Sequence, residues 1–168
     1  METIERTLIL LKPDAVDRGL VGEILHRFER AGLKIAGMKL LQATEEHAKK
    51  HYTEDISQRL GEHIRQLMVE MLKSGPIIAV VLEGVEAVES VRKMIGSTEP
   101  KSAAPGTIRG DFAHASFKHA DHNKVGMFNL IHGSSSLEEA KAEIAVWFTE
   151  EEVLSHDPGY TRHTIKFS

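Results

Sequence analysis

Residues 129–148 read NLIHGSSSLEEAKAEIAVWF. His132 follows an apolar run and precedes a glycine and three serines, after which the pattern turns helical. Ser135 or Ser136 can cap that helix, and each has a glutamate three residues on, Glu138 or Glu139, which makes a capping box in either register. The spacing therefore places His132 at the carboxyl end of a strand, shortly before a helix N-terminus. Free N–H groups and the positive end of the helix dipole favour an anion there. Gly133 permits a tight turn and a close approach of a ligand to the backbone. Glu143 lies two turns into the helix at the edge of its apolar stripe. Long helical side chains lean toward the N-terminus, so Glu143 is expected to reach back and accept one ring N–H of His132. The other ring nitrogen then keeps a free lone pair, and a neutral, oriented imidazole suits nucleophilic attack on phosphorus. The plainer reading is a hydrogen-bonded structural histidine, one of the chain's ten.

Three cations share its setting. Lys12 ends the first apolar run, against Pro13. Arg109 stands in the glycine-rich PGTIRGD segment. Arg92 lies near the end of a helix, just before the loop that carries Thr98. Each is also readable as surface charge, and Arg92 as a partner of its helix dipole. All three lie at element ends beside irregular backbone, where ligand groups collect. Two arginines and a lysine around a histidine would form a polyphosphate site, with the cations stabilising charge on the phosphoryl oxygens. Mg²⁺ would bridge the phosphates with few direct protein ligands.

The elements that must position these groups follow from periodicity. TLILL (7–11), KIAGMKLLQA (34–43), IIAVVL (77–82) and MFNLI (127–131) read as strands. RGLVGEILHRFERAG (18–32) reads as a helix with Leu20, Ile24, Phe28 and Ala31 on one face and Gly32 as its stop. A short helix opens at Thr44. Residues 58–73 form another, with Leu60, Ile64, Leu67, Met68, Met71 and Leu72 inward. VEAVESVRKMIG (85–96) and residues 136–148 complete the helices, the last with Leu137, Ala140, Ile144, Trp147 and Phe148 inward. Ser97–Gly110 has no period, which in a compact domain marks a functional or disordered loop. DFAHASFKHADHNKVG is ambiguous, and the tail from Glu150 shows no pattern. The order predicts α/β or α+β with a small sheet covered by helices.

Composition bounds the function. The 168 residues fit one domain, with 41% hydrophobic and 27% charged residues. A net charge of −4 and no aromatic-basic patch argue against nucleic-acid binding. The absence of cysteine excludes a thiol nucleophile, a disulfide scaffold and a Cys-ligated zinc site. No leader or membrane span is evident, so the expected location is cytoplasmic and the expected partners exclude membrane.

Taken together, ERTLILLKPDAV, RGLVGEIL, SGPIIAVVLEG, RKMIGSTEP, PGTIRGDF and NLIHGSSSLEEAKAEIAVWF resemble the nucleoside diphosphate kinase family from about Glu5 to Glu152. The resemblance implies a ferredoxin-like α/β sandwich with a four-stranded antiparallel sheet. It implies transfer of the γ-phosphate of a nucleoside triphosphate such as ATP to a nucleoside diphosphate. The route would be ping-pong, through phosphohistidine and with Mg²⁺. It places the nucleophile at His132, the orienting glutamate at Glu143 and a supporting serine at Ser134. The nucleotide contacts would be Lys12, Tyr52, Arg92, Thr98, Arg109 and Asn129. It also implies a homo-oligomer, tetramer or hexamer.

The sequence departs from the family pattern in three places. Ser135 stands where the family has aspartate. The stretch QRLGEHIRQLMVEML lacks the aromatic that stacks the base; Ile64 falls at that place by spacing, and the role is not carried over to it. About ten extra residues are expected near 113–125, within a single domain spanning 1–168. This insertion holds His114, His119 and His122, read as a solvated excursion in preference to a metal site. The first two departures motivate the alternative of a catalytically weak nucleotide-binding or assembly module of the same fold.

Overall fold

A computed structural model describes residues 3–165. Strand β1 (Ile4–Leu11) runs into a short helix α1 (Pro13–Asp17), whose first-turn proline needs no N–H partner. Then come α2 (Val21–Arg30), β2 (Lys34–Gln42), α3 (Glu45–His51), α4 (Glu54–Leu60), α5 (Glu62–Lys73), β3 (Pro76–Val85) and α6 (Ala87–Ile95). The chain continues through α7 (Ile108–Phe112), α8 (Phe117–Asn123), β4 (Ile131–Gly133), α9 (Leu137–Trp147) and α10 (Thr161–Thr164). The four strands form one antiparallel sheet in the order β2-β3-β1-β4, the ferredoxin-like arrangement.

Helices cover both sheet faces, which is why β1 and β3 read as unbroken apolar runs. Side chains alternate across a strand. Ile9, Leu11, Val80 and Leu82 therefore point one way, onto Ile24 and Phe28 of α2 and Val91 and Ile95 of α6. Leu8, Leu10, Ala79 and Val81 point the other way, onto Ala48 of α3, Val69 and Leu72 of α5 and Trp147 of α9. Among the described residues no helix is long and apolar enough to cross a membrane.

Four expectations are corrected. The fourth strand is not 127–131 but Ile131–Gly133, paired with β1 through Ile9↔Gly133, Leu10↔His132 and Leu11↔Ile131. Upstream of it the backbone leaves the ladder, with Leu130 at φ +70. The Leu130 N–H bonds to Asp14 Oδ2 and its carbonyl accepts from the Lys12 N–H. Second, the helix expected over 58–73 breaks at Gly61, φ +94, which a residue with a Cβ would adopt only under strain. Third, several expected core positions are not core. Leu60 is 58% and Leu137 42% exposed, while Val69 joins Met71 and Leu72 in the interior. Fourth, the expected loop from Ser97 carries structure. It holds a 3-10 turn at Pro100–Ser102 and the start of α7, which places Arg109 on a helix. The patternless tail likewise holds a 3-10 turn (Glu150–Glu152) and α10.

Candidate active site

His132 sits inside β4, opposite Leu10, and not after the strand as the pattern suggested. Gly133 does not make a turn. It is in the ladder, and a Cβ there would lie 2.7 Å from Ile95 Cδ1, so glycine lets α6 lie close against the sheet edge. Ser136 is the residue that caps α9, accepting from the Glu139 N–H at 3.1 Å. The Glu139 side chain reaches back past the cap and accepts from both the N–H (2.5 Å) and the hydroxyl of Ser135.

Two turns into α9, Glu143 points back at the imidazole. His132 Nε2 lies 2.8 Å from Glu143 Oε1 and 3.0 Å from Oε2. The fully buried Ser134 donates its hydroxyl to the same carboxylate at 2.5 Å. Two donors thus converge on Glu143, which assigns the imidazole proton to Nε2 and leaves Nδ1 as the lone pair. Burial lowers the His132 pKa to about 3, assisted by the positive field of Lys12, Arg109 and Arg92 and opposed by Glu139. The ring is neutral. Burial pushes the Glu143 carboxyl up to about 7, against the pull of Ser134.

The cations are held by neutral groups. Lys12 Nζ donates to Asn129 Oδ1 at 2.7 Å, and Asn129 Nδ2 donates to the Thr98 carbonyl at 2.8 Å. Arg109 spends its guanidinium on three backbone carbonyls: Asn129 (3.1 Å), Gly96 (3.1 Å) and Ile131 (2.5 Å). Arg92 donates to the Gly133 carbonyl at 3.2 Å. Among the described residues none of the three lies within ion-pair distance of a carboxylate. Burial, then Arg109, lowers the Lys12 pKa to about 8. Burial, then Arg92, lowers Arg109 to about 10. Lys12 and Arg109 are buried, Arg92 is exposed beside them, and with no carboxylate in contact the three repelling cations form a site for a polyanion.

Lys12, Tyr52, Arg92, Thr98, Arg109, Asn129, His132 and Glu143 line one cavity of about 370 Å³, with Ser134 behind Glu143. Tyr52 is buried with a hydroxyl that meets no partner, and burial raises its pKa, so it stays a donor. His114, His119 and His122 are exposed and do not converge. Among the described residues the one metal-compatible group is His51, His132 and Glu143. His51 is a site residue that the sequence did not reveal. Its buried ring lies 4.4 Å, centroid to centroid, edge-on to His132, and burial lowers its pKa. It accepts from Trp147 Nε1 at 3.4 Å. Its adjacency to Tyr52 on the inner face of α3 was the available signal. The cavity's other half is apolar, lined by Leu60, Ile64, Leu67, Phe117 and Val125.

A ferredoxin-like sheet carrying a neutral, carboxylate-oriented histidine among three cations defines a phosphotransferase. The nucleoside diphosphate kinase family model matches residues 5–153. A nucleoside diphosphate kinase of Borreliella burgdorferi is 44% identical over 154 residues, covering 91% of this chain and 92% of the relative. One of Thermus thermophilus is 48% identical over 151 residues, covering 90% and 100%. Among solved structures, a transition state mimic of the Borrelia burgdorferi enzyme with bound vanadate and ADP superposes with a TM-score of 0.96. It is 40% identical and covers 99% of both chains. The chain belongs to the nucleoside diphosphate kinase family.

Proposed function

We propose that this protein moves the γ-phosphate of a nucleoside triphosphate to a nucleoside diphosphate through a phosphohistidine at His132. The observation that carries it is the His132–Glu143 contact at 2.8 Å, which holds the proton on Nε2 and frees Nδ1 toward the cationic cavity. The Nδ1 lone pair attacks the γ-phosphorus. The bond from that phosphorus to the β–γ bridging oxygen breaks, and the nucleoside diphosphate leaves with the electron pair. The phosphorylated imidazole keeps its Nε2 proton and gains positive charge, which Glu143 stabilises. A terminal oxygen of the second diphosphate then attacks the same phosphorus and restores the neutral ring.

In this reading Lys12, Arg92 and Arg109 offset charge on the phosphoryl oxygens, and the Tyr52 hydroxyl donates to one of them. Thr98 and Asn129, with Lys12, contact phosphate and ribose. Ser134 holds Glu143. The alternative of a catalytically weak binding module is not favoured: the relatives are named as kinases, and the nucleophile and its orienting carboxylate are together.

The donor set fits Mg²⁺ carried by the nucleotide. Mg²⁺ takes hard oxygen ligands and keeps several waters. Here Glu143 is engaged by His132 and Ser134, and Glu139 by Ser135, while the His51–His132–Glu143 group is nitrogen-rich and suits softer ions. When bound, Mg²⁺ would supply charge neutralisation between the phosphates.

A homo-oligomer, tetramer or hexamer, belongs to the same proposal. Edge strand β2 presents Met38 at 54% and Leu40 at 65% exposure, an apolar edge of the kind that pairs with another copy. Sedimentation should show Leu40→Lys in smaller assemblies than wild type; unchanged mass would remove β2 from the interface. We further propose one domain, with the segment 113–125 as an insertion folded around α8, and a cytoplasmic location, where nucleotide pools are shared.

The deciding experiment is incubation with ATP labelled at the γ-phosphate. An acid-labile, base-stable phosphoenzyme should form and discharge onto GDP. No label on wild type, or equal label on His132→Ala, would reject the reading.

A further inference from the structure

The cavity has a second half that the phosphotransfer chemistry does not use. Leu60 on α4, Phe117 on α8 and Val125 just beyond it are 58%, 48% and 38% exposed, and all three line the cavity together with Ile64 on α5. Large apolar side chains gathered in the open at the mouth of a polar site mark a ligand surface.

Helix α8 is built to hold this surface open. Of its residues only Ala120 is buried, so burial of an apolar face does not fix the helix. It is fixed at its ends. The Phe117 N–H donates to Glu99 Oε1 at 3.0 Å, and the Ala115 carbonyl accepts from the Lys101 N–H at 3.0 Å. Both tie its start to the loop that carries Thr98. Beyond its other end Gly126 packs against α5, where a Cβ would lie 2.9 Å from the Leu67 carbonyl oxygen and from Met71 Cβ. The helix therefore bridges the phosphate-side loop and α5, and sets Phe117 in the wall between them.

We propose that Phe117 is the aromatic face on which the nucleobase stacks, with Leu60, Ile64 and Val125 completing an apolar slot for the ring. This rests on the nucleotide reading of the cationic half. It also resolves the missing aromatic: α5 has an aliphatic residue, Ile64, at the expected place, and α8 supplies a π-face from another part of the chain. Recognition by stacking is tolerant, because every base has a π-face. The slot accepts purines and pyrimidines, and the larger purine ring gains more contact.

The test uses Phe117→Trp and Phe117→Ala in the full chain. In Phe117→Trp the indole fluorescence added to that of Trp147 should change on binding ADP or GDP and stay unchanged with tripolyphosphate, which has phosphates and no base. Phe117→Ala should raise KM for GDP about tenfold with little change in kcat, the size expected for one base–aromatic stack. Inhibition by tripolyphosphate should be unaffected. Phe117→Leu, which keeps bulk and loses the π-face, should fall between. Equal fluorescence changes with tripolyphosphate and ADP, no change with either, or a KM for Phe117→Ala within twofold of wild type would overturn the proposal. Failure of wild type to take label from ATP, with ADP still changing the Phe117→Trp signal, would reject phosphotransfer and leave the base slot standing.

Discussion

Glu143 Oε1 lies 2.8 Å from His132 Nε2, and Ser134 donates to the other oxygen of the same carboxylate at 2.5 Å. The carboxylate is thereby fixed from two sides, and the ring is fixed by it. Glu143→Ala removes the acceptor and lets the ring rotate and change tautomer. The rate of phosphoenzyme formation should fall about 100-fold, as for loss of other orienting partners. Glu143→Gln keeps an acceptor oxygen but not the charge that stabilises the phosphorylated ring, so its loss should be smaller. Rapid-quench labelling with ATP measures both. A wild-type rate in Glu143→Ala would remove Glu143 from the mechanism.

Lys12 gives the pH dependence. Its pKa is lowered to about 8 by burial and by Arg109, so the free protein carries the ammonium below that pH and loses it above. With the ammonium assigned to phosphate binding in the proposed function, kcat/KM for ATP should decline as pH rises through about 8. Lys12→Arg keeps its charge and should lack that limb, even if slower overall. His132 stays neutral down to about 3, so the acid limb belongs to Glu143, whose orienting carboxylate is lost as pH falls through about 7; Glu143→Gln should lack it. A limb at 8 that survives in Lys12→Arg would assign it to another group.

Legibility in the sequence followed how local the determining signal was. The strands β1 and β3 were plain, because burial on both faces leaves unbroken apolar runs. The contact of Glu143 with His132 was readable from helix period and side-chain lean. The position of His132 within a strand was not, because residues 127–130 are as apolar as a strand. The Leu130 backbone bonds instead to Asp14 and Lys12, more than a hundred residues away. Leu60 and Ile64 showed a helical apolar period, and period alone does not distinguish a face turned to the core from one turned to a cavity. Phe117 was hidden for the same reason: its partner surface lies on α4 and α5.

Arg109 links stability to the site. Its three carbonyl acceptors belong to the end of α6, the residue preceding the left-handed Leu130 and strand β4. Arg109→Ala leaves those carbonyls short of donors and should cost about 3 kcal/mol: three hydrogen bonds to a charged group are worth roughly 1.5 kcal/mol or more each, less the relief of its repulsion with Lys12 and Arg92. Arg109→Lys should recover little, because an ammonium cannot reproduce the planar fork. Urea unfolding with and without ADP measures the effect. A midpoint unchanged in Arg109→Ala would show that the three segments hold together without it.

Ser135 donates both its N–H and its hydroxyl to Glu139, one helical turn on. The carboxylate expected at 135 from the family pattern is therefore present in space, delivered from 139. Burial opposes its ionisation, but the two Ser135 donors hold its pKa below the usual range. It lines the same cavity as His132 and acts on the charge of both His132 and Arg92. Restoring the family residue should do harm. Ser135→Asp replaces a donor with a second negative charge against Glu139, and should slow phosphoenzyme formation and lower the melting temperature. Glu139→Ser alone should also slow labelling, because it removes the carboxylate that Ser135 holds at the cavity. The double variant Ser135→Asp/Glu139→Ser exchanges the two roles and should recover most of the wild-type rate. The four rates then give a coupling of about 1 kcal/mol or more, as expected for residues in direct contact. Additive effects would mean that Glu139 only caps its helix and that the site works without an acid at this corner.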